Sequence, residues 1–163
     1  MEYETKFGSL DQFEKGTIEI IDDDPKRYAF SNMFEVASAA KPYEKVAVGK
    51  NMQYVLEVLR AEGTSEWRTA SHDEFALVMD GVVTVDLVKL DNPIRPDGEP
   101  GSVAVGGEPA GKKMGRISAG RGHMALLPAH SAYRFTSERP GVILLQTIIG
   151  PDTVERWAEI CLS

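Results

Sequence analysis

One stretch constrains the fold more than any other: residues 71–81, SHDEFALVMDG. It reads as a β-strand closed by an Asp80-Gly81 turn signal of the hairpin type. Side chains alternate along a strand, so His72, Glu74, Ala76 and Val78 share one face, and Phe75, Leu77 and Met79 share the other. Both faces are mostly apolar, and a strand of that kind needs cover on both sides. One cover is the interior of the folded body. The other has to be the N-terminal segment or another subunit.

The rest of the chain supplies strands around it. Strands are expected at 45–48, 52–61, 75–79, 82–90, 114–117, 124–127, 132–136 and 142–149, with turns at Ala119-Gly120, Pro128-Ala129 and Arg139-Pro140-Gly141. Residues 9–16 carry helix punctuation, with Ser9 as cap, Gln12 at the capping-box position and Gly16 as stop. Residues 17–21 predict a short strand, and 28–42 an extended arm wrapped on the body. A second helix, over 151–163, has Asp152 as cap and Glu155 three residues on, and it turns Val154, Trp157 and Cys161 inward. Residues 91–115 hold six glycines and four prolines, which predicts a long loop, functional or mobile. Within it, Gly111-Lys-Lys-Met-Gly115 lacks the spacing of a phosphate loop and reads as a basic hairpin end.

Many short strands and little helix predict a single all-β domain over 1–163: an arm at 1–44, a jelly-roll barrel at 45–150 and a short C-terminal helix at 151–163. Charge and cysteine usage narrow its setting. Residues 1–24 hold eight acids and two bases, so most of the net charge of −7 sits there. That is the wrong sign for nucleic acid. The single cysteine, Cys161, reads as packing and excludes an internal disulfide. The acidic start MEYETKF is no signal peptide, and the apolar run at 142–149 is too short to span a bilayer. A cytoplasmic protein, without membrane or nucleic-acid partners, is expected.

His72 and Glu74 are the chemically suggestive pair. Two ligands do not hold a catalytic metal, and a third would have to come from His123, His130 or Tyr133. Each has a structural alternative: His123 as an exposed turn residue, His130 as a turn residue with positive φ, Tyr133 as core, and His72 hydrogen-bonded to its surroundings. Trp67 and Trp157 read as core or interface anchors.

The stretches 71–81 and GHMALLPAHSAYRF at 122–135 resemble the two motifs of cupins, small β-barrels that often hold a metal. Glu74 and Gly81 match the first motif's glutamate and glycine, and Pro128-Ala129 matches the second motif's turn. The resemblance places the family's histidines at Arg68, Ala70 and Tyr133, so three of four usual ligands are absent. Arg68, His72, Glu74 and Tyr133 are then the candidate barrel-pocket residues, with an Arg68–Glu74 salt bridge expected where the metal would sit. No catalytic residue is assigned on this chain.

The stretches GSLDQFEKGTIEI, YAFSNMFEVAS, HDEFALVMDG, GKKMGRI and PGVILLQTI resemble the small subunits of two-component hydroquinone 1,2-dioxygenases. That resemblance implies a heteromer of α2β2 type. A larger cupin-like subunit carries Fe(II) and cleaves an aromatic diol, and this chain holds no cofactor. Two other readings stay open: a standalone metal-dependent cupin (isomerase, lyase or dioxygenase) using His72 and Glu74, and a non-catalytic small-molecule-binding cupin.

Overall fold

A computed structural model describes residues 2–5 and 8–162, with only the backbone of Leu162. The described elements are a 3-10 turn Pro25–Arg27, helix α1 Met33–Ala39, nine strands and helix α2 Trp157–Leu162. The strands are β1 Val46–Asn51, β2 Tyr54–Thr64, β3 Arg68–Thr69, β4 Glu74–Asp80, β5 Val83–Leu90, β6 Val103–Ala104, β7 Gly111–Ala119, β8 Met124–Leu127 and β9 Ser131–Ile148.

They form a curled, cupin-type jelly roll in which β9 belongs to two layers. Its second half pairs with β2 and β4, which extend to β1 and β8 and give the order β1–β2–β9–β4–β8. Its first half pairs with β3 and β5, which extend to β6 and β7 and give β7–β5–β9–β3–β6. The turn signal at Arg139-Pro140-Gly141 does not end the strand. Residues 138–140 are exposed and bulge out, since Ala61 pairs with Gly141 while Gly63 pairs with Ser137. A bulge bends a strand and strengthens its twist, which lets β9 pass from one layer to the other.

Gly81 sits at the facing corner with φ +81, and a Cβ there would lie 3.1 Å from Gly141 Cα. Asp80-Gly81 is therefore a corner and not a hairpin: β4 and β5 do not pair with each other. Between the layers lies the main core, built on Leu59, Val85, Leu127, Phe135, Ile143 and Leu145, all at most 3% exposed. Each such side chain contributes about 1.5–3 kcal/mol by leaving water.

Both ends of the chain differ from the sequence expectation. Residues 9–16 form no helix. Ser9 and Gln12 bond each other in a tight turn, and the Leu10 N–H donates to Asp80 Oδ2 at 2.8 Å. Residues 17–21 pair with no strand, and the arm at 28–42 contains a helix instead of running extended. Asn32 starts α1 by accepting from the Phe34 and Glu35 N–H groups. Its Val36 and Ala37 pack on Val46, Val58 and Val142, on the outer face of the β1–β2–β9–β4–β8 layer.

The C-terminal helix begins only at Trp157, because the residues before it are used otherwise. Val154 bridges to Val46, the Thr153 hydroxyl donates to Glu57 Oε1 at 2.6 Å, and Asp152 takes Arg68. Trp157 then packs with Ala47 and Val55. No helix of the described residues is long and apolar enough to cross a membrane.

Candidate functional site

The side chain at the centre of the barrel is Glu74, fully buried at the start of β4. Tyr133 on β9 donates its hydroxyl to Glu74 Oε1 at 2.7 Å, and Thr147 donates to Oε2 at 2.6 Å. The two donors lie fourteen positions apart on one strand, on either side of the bulge, and so reach the carboxylate from two layers. Burial first, and then the Glu74 charge, push the Tyr133 phenol well above its usual pKa, more than nearby Ser102 and Arg68 offset. Tyr133 is therefore a neutral donor.

Arg68 lies on β3 directly opposite Tyr133. It does not pair with Glu74. Its Nε donates to the Ser102 hydroxyl and its Nη2 to the Ser102 carbonyl, each at 2.9 Å, and Nη2 also meets Asp152 at 2.6 Å. Burial opposes the Arg68 charge, but Asp152, Tyr133 and Glu66 outweigh it and raise the pKa above the usual arginine value. Arg68, Tyr133 and Glu74 thus belong to one connected group, with the phenol standing where a direct salt bridge was expected.

His72 is not in that group. Residues 71–73 form a bend before β4, so the expected alternation with Glu74 breaks there. His72 Nε2 accepts the Gly101 N–H at 3.0 Å, which leaves the proton on Nδ1, 3.1 Å from the Asp73 carbonyl. His130 has φ +61 and contacts Asp97 at 2.7 Å, and His123 Nδ1 accepts the Gly120 N–H at 2.9 Å.

Two of the three histidines hold the long loop. With Ser71 donating to the Glu99 carbonyl, they and Arg68 fasten residues 97–102 over the barrel mouth. Replacing His72 by phenylalanine is expected to cost about 1–2 kcal/mol for the orphaned Gly101 N–H. Amide exchange should then rise at 97–102 and remain unchanged in β2, as followed by hydrogen–deuterium exchange.

The donor set does not fit a metal ion. Two of the positions that the cupin resemblance gives to histidine carry Ala70, a methyl group, and Arg68, a fixed cation. The third is Tyr133, a neutral phenol, and both oxygens of Glu74 already accept hydrogen bonds. Among the described residues, no three His, Cys, Asp or Glu side chains converge. Apolar core side chains fill the surrounding barrel.

An open cleft of ≈ 550 Å³ lies elsewhere, lined by Trp67, Asp86, Glu108, Lys113, Arg116 and Arg134 among others. The Arg134 guanidinium stacks 4.5 Å over the Trp67 ring, and Asp86 meets both Arg116 and Arg134. Burial would raise the Asp86 pKa, but the two arginines outweigh it and hold the carboxyl below its usual range. Nothing in the sequence marked this cluster, because pairing of distant strands brings residues 86, 116 and 134 together, and Trp67, outside the strands, stacks on Arg134.

No family model matches the chain, and no curated protein matches it. Solved structures do. A chain of hydroquinone 1,2-dioxygenase PnpCD, in complex with Cd2+ and 4-hydroxybenzonitrile, is 59% identical, with a TM-score of 0.91 over 99% of this chain and 98% of that chain. A chain of hydroquinone 1,2-dioxygenase from Sphingomonas sp. TTNP3, with 4-hydroxybenzoate bound, is 55% identical, with a TM-score of 0.91 over 98% of each chain.

PnpCD, in complex with Fe3+, also supplies a second and longer chain. It is 10% identical, with a TM-score of 0.60 over 88% of this chain and 40% of that one, a likeness of fold alone. A cupin-2 domain protein from Shewanella frigidimarina NCIMB 400 shares the fold in the same sense, at 15% identity and a TM-score of 0.51 over 76% of this chain and 98% of that one. PnpCD is thus a heteromer of a chain this size and a longer cupin-fold chain.

Proposed function

Because the chain belongs to the hydroquinone 1,2-dioxygenase family, we propose that it is the metal-free small subunit of such an enzyme, working in the cytoplasm as part of an α2β2 heteromer. The larger cupin-like subunit holds Fe(II) and opens the ring of hydroquinone to 4-hydroxymuconic semialdehyde. One observation carries this division of labour: at the positions where a cupin would hold its metal, this chain places Arg68, Ala70 and a neutral Tyr133, with both Glu74 oxygens occupied.

The Tyr133–Glu74–Thr147 group takes over a structural duty there. It satisfies three buried polar side chains and ties both layers of the barrel to one carboxylate. A rigid barrel that needs no ion for its shape can serve as a fixed support for a catalytic neighbour. The standalone-enzyme reading required His72 and Glu74 to act together, and they belong to different groups.

The test is reconstitution. The chain, the longer subunit and their co-expressed complex are each loaded with Fe(II) and assayed for ring cleavage under air, with metal content measured in parallel. Cleavage is expected from the complex, with iron stoichiometric to the longer subunit and the isolated small chain inert. Ring cleavage by this chain alone, or one tightly held iron per copy of it, overturns the proposal.

A further inference from the structure

Half of one face of the molecule has no cover among the described residues. On the outer side of the β1–β2–β9–β4–β8 layer, Leu56 pairs with Gln146, Gln146 with Phe75, and Phe75 with Leu126. These four residues stand side by side in one row across four strands, roughly 15 Å wide at the usual strand spacing. In the next row Leu77 stands opposite Met124. Phe75 is 39% exposed, Leu56 39%, Leu126 43% and Met124 62%.

The same layer is covered one step further along, where α1 packs over Val46, Val58 and Val142 and touches Leu144. The arm thus covers half of a continuous apolar face and leaves the other half in water. An uncharged, mostly apolar strip of this kind, with Gln146 as its one polar member, marks an interaction surface. Among the described residues β8 pairs only with β4, so the strip also runs out to an open sheet edge.

We propose that this strip docks the larger cupin-like subunit, sheet against sheet, an inference that rests on the heteromeric function proposed above. The occupant follows from the heteromeric function. An apolar sheet face can pack on another sheet about 10 Å away, with strands nearly aligned. The longer chain of PnpCD shares this fold over 88% of this chain, so it carries sheet layers of the same kind. The row carries no charge that a like-folded partner would have to answer. Phe75 stands inside the row, where an interface concentrates its binding energy, and Leu126 flanks it on the edge strand β8.

The test uses the co-expressed complex. Phe75→Lys and Leu126→Lys are each expected to weaken capture of the larger subunit by roughly 30-fold or more. Lys112→Glu, exposed on β7 in the other layer, should leave capture unchanged. A photo-crosslinking amino acid at Leu126, which perturbs one exposed position only, should form its adduct with the larger subunit. Wild-type capture by the Phe75→Lys/Leu126→Lys double variant overturns the inference and leaves the heteromer standing. A crosslink to a second copy of this chain overturns it as well. If the unmodified chain fails to capture the larger subunit, the function proposed above falls, and this inference falls with it.

Discussion

Replacing Lys45 by methionine is expected to cost about 3–5 kcal/mol of stability, close to what a domain of this size can lose and stay folded. Lys45 and Glu57 are 5% and 0% exposed, and Lys45 Nζ lies 2.6 Å from Glu57 Oε2. Neither atom makes a well-directed hydrogen bond, so charge rather than bond geometry holds the pair. Removing the lysine leaves a carboxylate deep in the fold with, among the described residues, only the Thr153 hydroxyl as donor.

Desolvation is the larger part of the balance, which gives a second expectation. Lys45→Met combined with Glu57→Met should recover most of the loss, because no charge is then left to bury. Urea unfolding of the two variants decides it. Equal destabilisation of the single and double variants would assign the effect to lost packing instead. The same ion pair lies beneath Thr153 and Val154, so the single variant should also loosen the C-terminal segment from β1.

Glu74→Ala is expected to cost about 3 kcal/mol or more, since it orphans two buried hydroxyls and opens a cavity. Tyr133→Phe removes one donor only, and about 1–3 kcal/mol is expected. The milder variant also carries a pH signature. The Tyr133 pKa is raised by burial and by Glu74, and Tyr43 is pushed up to about 12 by burial and then by Glu62. Unfolded tyrosines lose their protons near pH 10. Above that the unfolded state binds fewer protons than the folded one, so stability falls as pH rises toward the folded pKa values. Tyr133→Phe removes one of these two groups and should flatten the alkaline decline. Denaturant melts at stepped alkaline pH, with tyrosinate absorbance followed alongside, measure it. An unchanged slope would mean that Tyr133 ionises as freely folded as unfolded.

The sequence made β4 legible because its pattern is local. The alternation of Glu74, Ala76 and Val78 against Phe75, Leu77 and Met79 appears in the structure as an inner and an outer face. The expectation failed at His72, where the Gly101 N–H, twenty-nine residues away, holds the ring in a bend. It failed in the same way at Ser9, whose helix signal lost to a turn anchored by Asp80. Asp152 left its expected cap to pair with Arg68. In each case a good local signal yielded to a partner distant in sequence. Helix α1 is a different kind of miss. Asn32 and Glu35 are ordinary start signals, but an apolar stretch without a clear period hid them. The Arg68–Glu74 pairing failed because motif spacing gives positions on strands but not which hydroxyl stands between them.

The sharing of β9 between both layers has a consequence for how the chain is made. Neither layer is complete without Ser131–Ile148, which follows the other eight strands of the described residues in the chain. Until β9 has left the ribosome, β2, β4 and β5 each lack a neighbour, and Glu74 lacks its donors Tyr133 and Thr147. Nascent chains ending before that point carry open sheet edges and an unpaired carboxylate. Folding of the barrel is therefore a late event, dominated by long-range closures, and slow for a domain of this length. During that interval the exposed sheet edges favour aggregation.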